Sequence, residues 1–296
     1  MLDGDFERAW RVVDEIELPR RERMPEAPFL RRPHELIWDG TPLEGRIVVI
    51  RCEHGLGDTI QFLRYAPLLR ARSVLVNVQP ELRTLAASAK GVCRVLCPGE
   101  PAPQDAVEIE CMELPYALRT NVETIPREVP YVEVRPASLV RNRRGLHVGL
   151  VWSSGIYDPR RSAALADFRP IADIPEVTLY CLQQGPALSE ADAVRLPMVM
   201  VSCHTQKVEA AAAMMRALDL IITVDSMTAH LAGALAVPVW TLLRNDADWR
   251  WMRDRDDSPW YPTMRLFRQR RAGDWAQVVG QVAVELGDYA RSVKGL

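Results

Sequence analysis

The chain reads as an α/β protein of two halves, each built on a doubly wound, mainly parallel sheet. Three observations predict this. From residue 46 onward, short apolar runs of strand length alternate with helical runs. The alternation breaks at a Pro-punctuated stretch, Ile125 to Pro136, and then starts again. The 296 residues are 48% hydrophobic and 26% charged, enough for one large or two medium cores.

The elements follow in order. Phe6, Trp10, Val13 and Ile16 recur at helical spacing and predict a helix over residues 5–17. A connector rich in Pro and Arg runs to about residue 44, with Pro33–Gly40 leading into the first strand. Arg46–Cys52 reads as a strand, His54–Asp58 as a Gly-rich turn and Thr59–Arg70 as a helix. Strands at Val74–Val78, Val92–Cys97 and Ala106–Cys111 complete the first half, with a helix at Pro80–Ala89 and a turn or short helix at Met112–Leu118. The second half has strands at His147–Trp152, Val177–Gln183, Met198–Val201, Leu220–Val224, Val237–Leu242 and Met264–Phe267. Helices are expected at Val208–Leu218, from Ser226 to Leu235, and from Asp274 to Ser292. A Trp-rich loop covers Asp246–Tyr261.

Composition narrows the function. A net charge of −2 argues against general nucleic-acid binding. The basic clusters at Arg20, Arg21 and Arg23, at Arg31 and Arg32, and at Arg141, Arg143 and Arg144 read as solvated loops. None of the six cysteines forms a CxxC pair, so buried free thiols in a reducing cytoplasm are expected rather than zinc or disulfides. The start of the chain is acidic and unlike a signal peptide, and no run is apolar enough to span a membrane. A cytoplasmic protein follows, one that meets membranes through partners.

The most informative stretch is the strand Leu220–Val224 followed by Asp225-Ser226-Met227-Thr228-Ala229-His230. A helix that starts at the carboxyl end of a parallel strand offers unpaired backbone N–H groups and a positive dipole end. Ser226, Thr228 and His230 add donors within about one turn. Such a site suits the diphosphate of a nucleotide-type ligand. His230 is otherwise a core histidine. Arg160-Arg161-Ser162 reads either as a phosphate clamp or as a solvated loop. In the first half, Gly55 and Gly57 would let a ligand approach the backbone, and Asp58 is either a helix N-cap or a general base. GxGxxG is absent, which sets aside a dinucleotide enzyme. Asp246-Ala247-Asp248 matches a two-carboxylate metal pattern but reads as loop acids. Trp249, Trp251 and Trp260 with their arginines read as a packed aromatic loop.

Taken jointly, three stretches carry a resemblance to a known family: Glu53–Phe62, Val224–Leu235, and Asp248–Trp251 with Asp257–Pro262. Val148–Ser153 and Leu182–Pro186 match more weakly. From about residue 35 to its end the chain resembles the family 9 glycosyltransferases, the heptosyltransferase-like group. The nearest look-alikes are catalytic domains at the ends of bacterial tetratricopeptide-repeat proteins. The resemblance implies the GT-B fold, two Rossmann-like domains facing a central cleft. It divides the chain into an N-terminal helix and connector (1–44), an acceptor domain (45–136), a nucleotide-sugar domain (137–273) and a last helix (274–296) packing back on the first domain. It implies an inverting, metal-independent transfer of a hexosyl or heptosyl group from a nucleotide-diphospho-sugar to a glycan or protein hydroxyl, with no cofactor. Asp58 falls on the catalytic base, Asp225 on a donor-sugar contact, and Ser226, Thr228 and His230 on the diphosphate site. Ser153, Gln183, Arg160 and Arg161 complete the donor-binding set. The chain departs from the look-alikes in two places: a loop lysine is missing near Arg160, and Gln184 stands where lysine is frequent. The alternative is a catalytically silent descendant that binds sugar nucleotides or serves as a scaffold.

Overall fold

A computed structural model describes residues 1–23, 41–141, 145–155 and 157–294. The lead-in at Pro33–Gly40 and the clusters at Arg31, Arg32, Arg143 and Arg144 lie outside the described residues. The chain divides into two compact units. One comprises Met1–Arg127 with Asp248–Asp254, and the other Glu128–Ala247 with Arg255–Leu296.

The first unit opens with helix α1 (Phe6–Arg23), followed by β1 (Ile47–Arg51), α2 (Leu56–Phe62), β2 (Ser73–Asn77), α3 (Arg83–Ala87), β3 (Arg94–Leu96), β4 (Val107–Glu110) and α4 (Leu114–Ala117). Its four strands are all parallel, in the order β3-β2-β1-β4. Val48, Val49 and Ile50 of the central β1 are buried, as expected of a parallel strand covered on both faces. The helix after β1 differs from expectation at both ends. It begins at Leu56, because the Asp58 carboxylate reaches back to the Gly55 N–H. It tightens into a 3₁₀ turn over Leu63–Leu68, which contains Pro67. α1 is anchored by buried Phe6 and Trp10, with Trp10 Nε1 donating to the Thr120 carbonyl at 2.7 Å.

The second unit contains β5 (Leu146–Val151), α5 (Arg169–Ala172), β6 (Val177–Cys181), α6 (Glu190–Val194), β7 (Met198–Met200), α7 (Val208–Met215), β8 (Leu220–Val224), α8 (Met227–Ala234), β9 (Val239–Leu243), β10 (Met264–Arg268) and α9 (Trp275–Lys294). Its six strands are parallel, in the order β10-β9-β8-β5-β6-β7. β9 begins two residues later than expected, after Pro238, whose ring nitrogen carries no hydrogen for a ladder.

The last helix, α9, is built into the second unit: Trp275, Val278, Val279, Val282, Leu286 and Ala290 join Leu150, Ile171, Leu242 and Phe267 in its core. Their spacing of three and four residues makes one apolar stripe, and the second sheet with α5 supplies the surface that buries it. The Trp-rich loop divides between the units, with Asp248–Asp254 in the first.

Candidate functional site

The carboxyl end of β1 carries the glycine loop of the first unit, and β4 ends beside it in the sheet. Asp58 occupies the third position of α2, not its N-cap, which is Gly55. Both carboxylate oxygens are engaged: Oδ2 accepts from the Gly55 N–H at 3.1 Å, and Oδ1 lies 2.6 Å from Arg250 Nη2. Arg250 is buried, also bonds Asp248 Oδ1 at 2.9 Å, and lies over the rings of Phe62 and Trp249. The Trp-rich turn thus delivers a guanidinium to Asp58. Sequence reasoning placed Arg250 in a packed loop and missed this role, because 192 residues separate the partners.

Beside the loop, the Glu110 side chain is 2% exposed, and its Oε1 lies 3.3 Å from Nε2 of His54. Glu110 also accepts from the Met112 N–H at 2.8 Å and from Cys111 Sγ at 3.3 Å. Burial raises its pKa above the usual carboxylate value. The hydrogen bond to Cys52, followed by burial, holds the Cys111 thiol well above its ordinary value. The folded chain therefore keeps a proton on Glu110 that the unfolded chain has already released. Stability should fall as pH rises from the ordinary Glu range through the raised folded value. Urea midpoints measured across that window should decline, and Glu110→Gln should flatten the decline.

In the second unit the carboxyl ends of β5, β6, β8 and β9 converge. β8 is buried throughout, and Asp225 is 8% exposed at its end. Ser226 is the N-cap of α8: its Oγ accepts from the Thr228 N–H at 3.3 Å and lies 3.2 Å from Thr223 Oγ1. Thr228 and His230 are buried. His230 Nδ1 lies 2.9 Å from Tyr261 Oη, so the ring is fixed by a tyrosine whose role was not foreseen. The Tyr261 ring lies against Gly233, where an added Cβ would be 2.3 Å from Cδ1. Gly233→Ala should therefore displace Tyr261, loosen its bond to His230 and cost about 1–3 kcal/mol, read by urea unfolding.

Gln183 is a staple. Its Oε1 accepts from the N–H groups of Trp152 and Ser153 at 3.1 and 2.9 Å, and its Nε2 donates to the carbonyls of Ser153 and Gln184. It braces the ends of β5 and β6. Ser153 Oγ donates to Ser162 Oγ at 3.0 Å, and the Ser154 N–H donates to the same oxygen. Gln184, at the lysine position of the look-alikes, donates to the Ser202 carbonyl and to Thr205 Oγ1.

Three arginines gather here. Arg160 is exposed and forks onto Asp158, whose carboxyl it holds below the usual range. Arg244, on the residue after β9, lies 2.9 Å from Asp158 Oδ2 and 3.3 Å from Asp246 Oδ1. Arg161 is half-buried, and its Nε is shielded from solvent with no hydrogen-bond partner. Asp246 pairs with Arg244 and Asp248 with Arg250, so the two acids serve different arginines.

No family model matches the chain. Protein FlbA of Caulobacter vibrioides is 25% identical over 307 residues, which cover 91% of this chain and 51% of FlbA. The chain thus spans about half the length of that curated relative. Among solved structures, a family 9 glycosyl transferase from Veillonella parvula superimposes with a TM-score of 0.60 at 10% identity, over 85% of this chain and 100% of that one. The E. coli heptosyltransferase WaaC with ADP gives 0.54 at 11% identity, over 81% and 99%. The chain has the GT-B fold of the glycosyltransferase family 9 heptosyltransferases. Among the described residues, no helix is long and apolar enough to cross a membrane.

Proposed function

We propose that this chain is an inverting, metal-independent glycosyltransferase of the hexosyl or heptosyl type. It would move a sugar from a nucleotide-diphospho-sugar to a hydroxyl of a glycan or protein in the cytoplasm, including acceptors held at a membrane. One observation carries this: α8 starts at the end of β8 behind the Ser226 cap, and the loop after the neighbouring β5 brings Arg161, whose Nε lacks a partner. A shielded guanidinium nitrogen with nothing to donate to, in the loop after the strand next to β8, suits an anion. The WaaC structure with ADP shows that the fold takes a nucleoside diphosphate in that protein.

In this mechanism the diphosphate sits at the start of α8 with Thr228 and Ser226. Asp225 contacts the donor sugar. Asp58 takes the proton as the acceptor oxygen attacks the anomeric carbon and the bond to the diphosphate breaks. Arg250 and the Gly55 N–H hold the carboxylate in one orientation. Ser153 and Gln183 shape the floor of the donor site.

A second reading, a silent sugar-nucleotide-binding protein, draws on the same Asp58. A carboxylate with both oxygens committed to an arginine and a backbone N–H also serves as a plain loop anchor. A panel of nucleotide-diphospho-sugars decides between them. Binding of a donor with release of its nucleoside diphosphate supports the enzyme. Binding without release supports the silent copy, and no binding removes both.

A further inference from the structure

The fold brings a cation, Arg244, to the carboxyl end of the second sheet. β9 and β5 flank β8 in the sheet. Val224 pairs with Leu242, which places Arg244 level with Ser226, while Val151 on the other side pairs with Thr223. Asp158 lies in the loop after β5. The ion pair from Arg244 to Asp158 therefore joins the segments that follow the two strands flanking β8, whose own end opens α8 at Ser226. The Arg244 side chain is 14% exposed, and its Nη1 is shielded from solvent. The two arginines, 160 and 244, and the two aspartates, 158 and 246, form a closed, charge-balanced set. Its members differ in freedom. Asp158 is 18% exposed and caps a 3₁₀ turn, whereas Asp246 is 59% exposed and leaves the set most easily.

We propose that Arg244 is the cation that binds the diphosphate of a nucleoside diphosphate at the start of α8, and that Asp246 holds its place until the ligand arrives. This rests on the donor site proposed above and adds to it a residue and an exchange. Phosphate oxygens take over the Arg244 donors, and Asp246 turns to solvent. Asp158 holds the guanidinium in both states. An arginine suits the task because its fork can serve Asp158 and a phosphate oxygen together. The partnerless Nε of Arg161 is a second vacancy for the same anion.

Calorimetric titration with ADP, and with UDP and GDP, tests the proposal on the native chain and two variants. Arg244→Met keeps the stem and removes the charge. It should weaken the bound nucleotide about ten- to a hundredfold, the equivalent of one or two charged hydrogen bonds. Asp246→Asn removes the placeholder and should tighten binding about threefold or more at low salt. A misfolded variant cannot produce that gain. Unchanged affinity in Arg244→Met, or no gain in Asp246→Asn, overturns the role of Arg244 while leaving the donor site standing. A native chain that binds none of the three nucleotides overturns both.

Discussion

Ser226→Asp should reduce nucleotide binding by at least about a hundredfold while the fold is retained. Aspartate is as good an N-cap as serine, so its carboxylate can still accept from the Thr228 N–H and keep α8 capped. What changes is charge. A carboxylate at the helix start would stand about 4 Å from the proposed diphosphate, where like charges repel by about 4 kcal/mol per pair near a protein surface. The helix dipole that favours the ligand would be answered by the new side chain instead. The site tolerates this test better at residue 226 than at Thr228, which is 7% exposed and has little room for a larger charged group. Calorimetry reads the affinity and thermal unfolding reads the fold. Native-like binding in a folded Ser226→Asp protein would remove the diphosphate from this helix.

Asp58→Asn should lower sugar transfer by about a hundredfold or more with donor affinity little changed. The amide keeps the size of the carboxylate but accepts no proton at neutral pH. The contacts of Asp58 make the outcome richer than a loss of basicity. An amide has one accepting oxygen, whereas Asp58 accepts from both the Gly55 N–H and Arg250. One of those donors loses its partner, so the variant should also be about 1–3 kcal/mol less stable. Arg250 keeps Asp248 and does not become an isolated buried charge. Transfer and urea unfolding measured together separate the roles. Loss of both supports an oriented base. Loss of stability with transfer intact makes Asp58 a loop anchor and turns the search for the base elsewhere.

Much of this protein is decided locally, and that part is legible in the chain. Apolar runs such as Leu220–Val224 and Leu146–Val151 are too short for helices and too apolar for surface loops, so they become buried parallel strands. Ser226 caps α8 because a hydroxyl two residues ahead of an unpaired N–H has little else to do, and this needs no distant partner. The gathering of Ser226, Thr228 and His230 at one helix start follows from the helical repeat alone.

The tertiary structure decided what depends on distant partners. Asp58 and Arg250, 192 residues apart, form an ion pair only because the Trp-rich turn joins the first unit. Gln183, assigned to the donor, braces two strand ends because β5 and β6 are neighbours in the sheet. Asp246 and Asp248 look alike in sequence, yet backbone geometry hands them to different arginines. The apolar stripe of α9 predicts that the helix is buried, but the stripe fits any apolar surface of the right width. Hydrophobic burial has no direction of its own, so only the packed second sheet, with Phe267 and Leu242 facing the helix, selects its place.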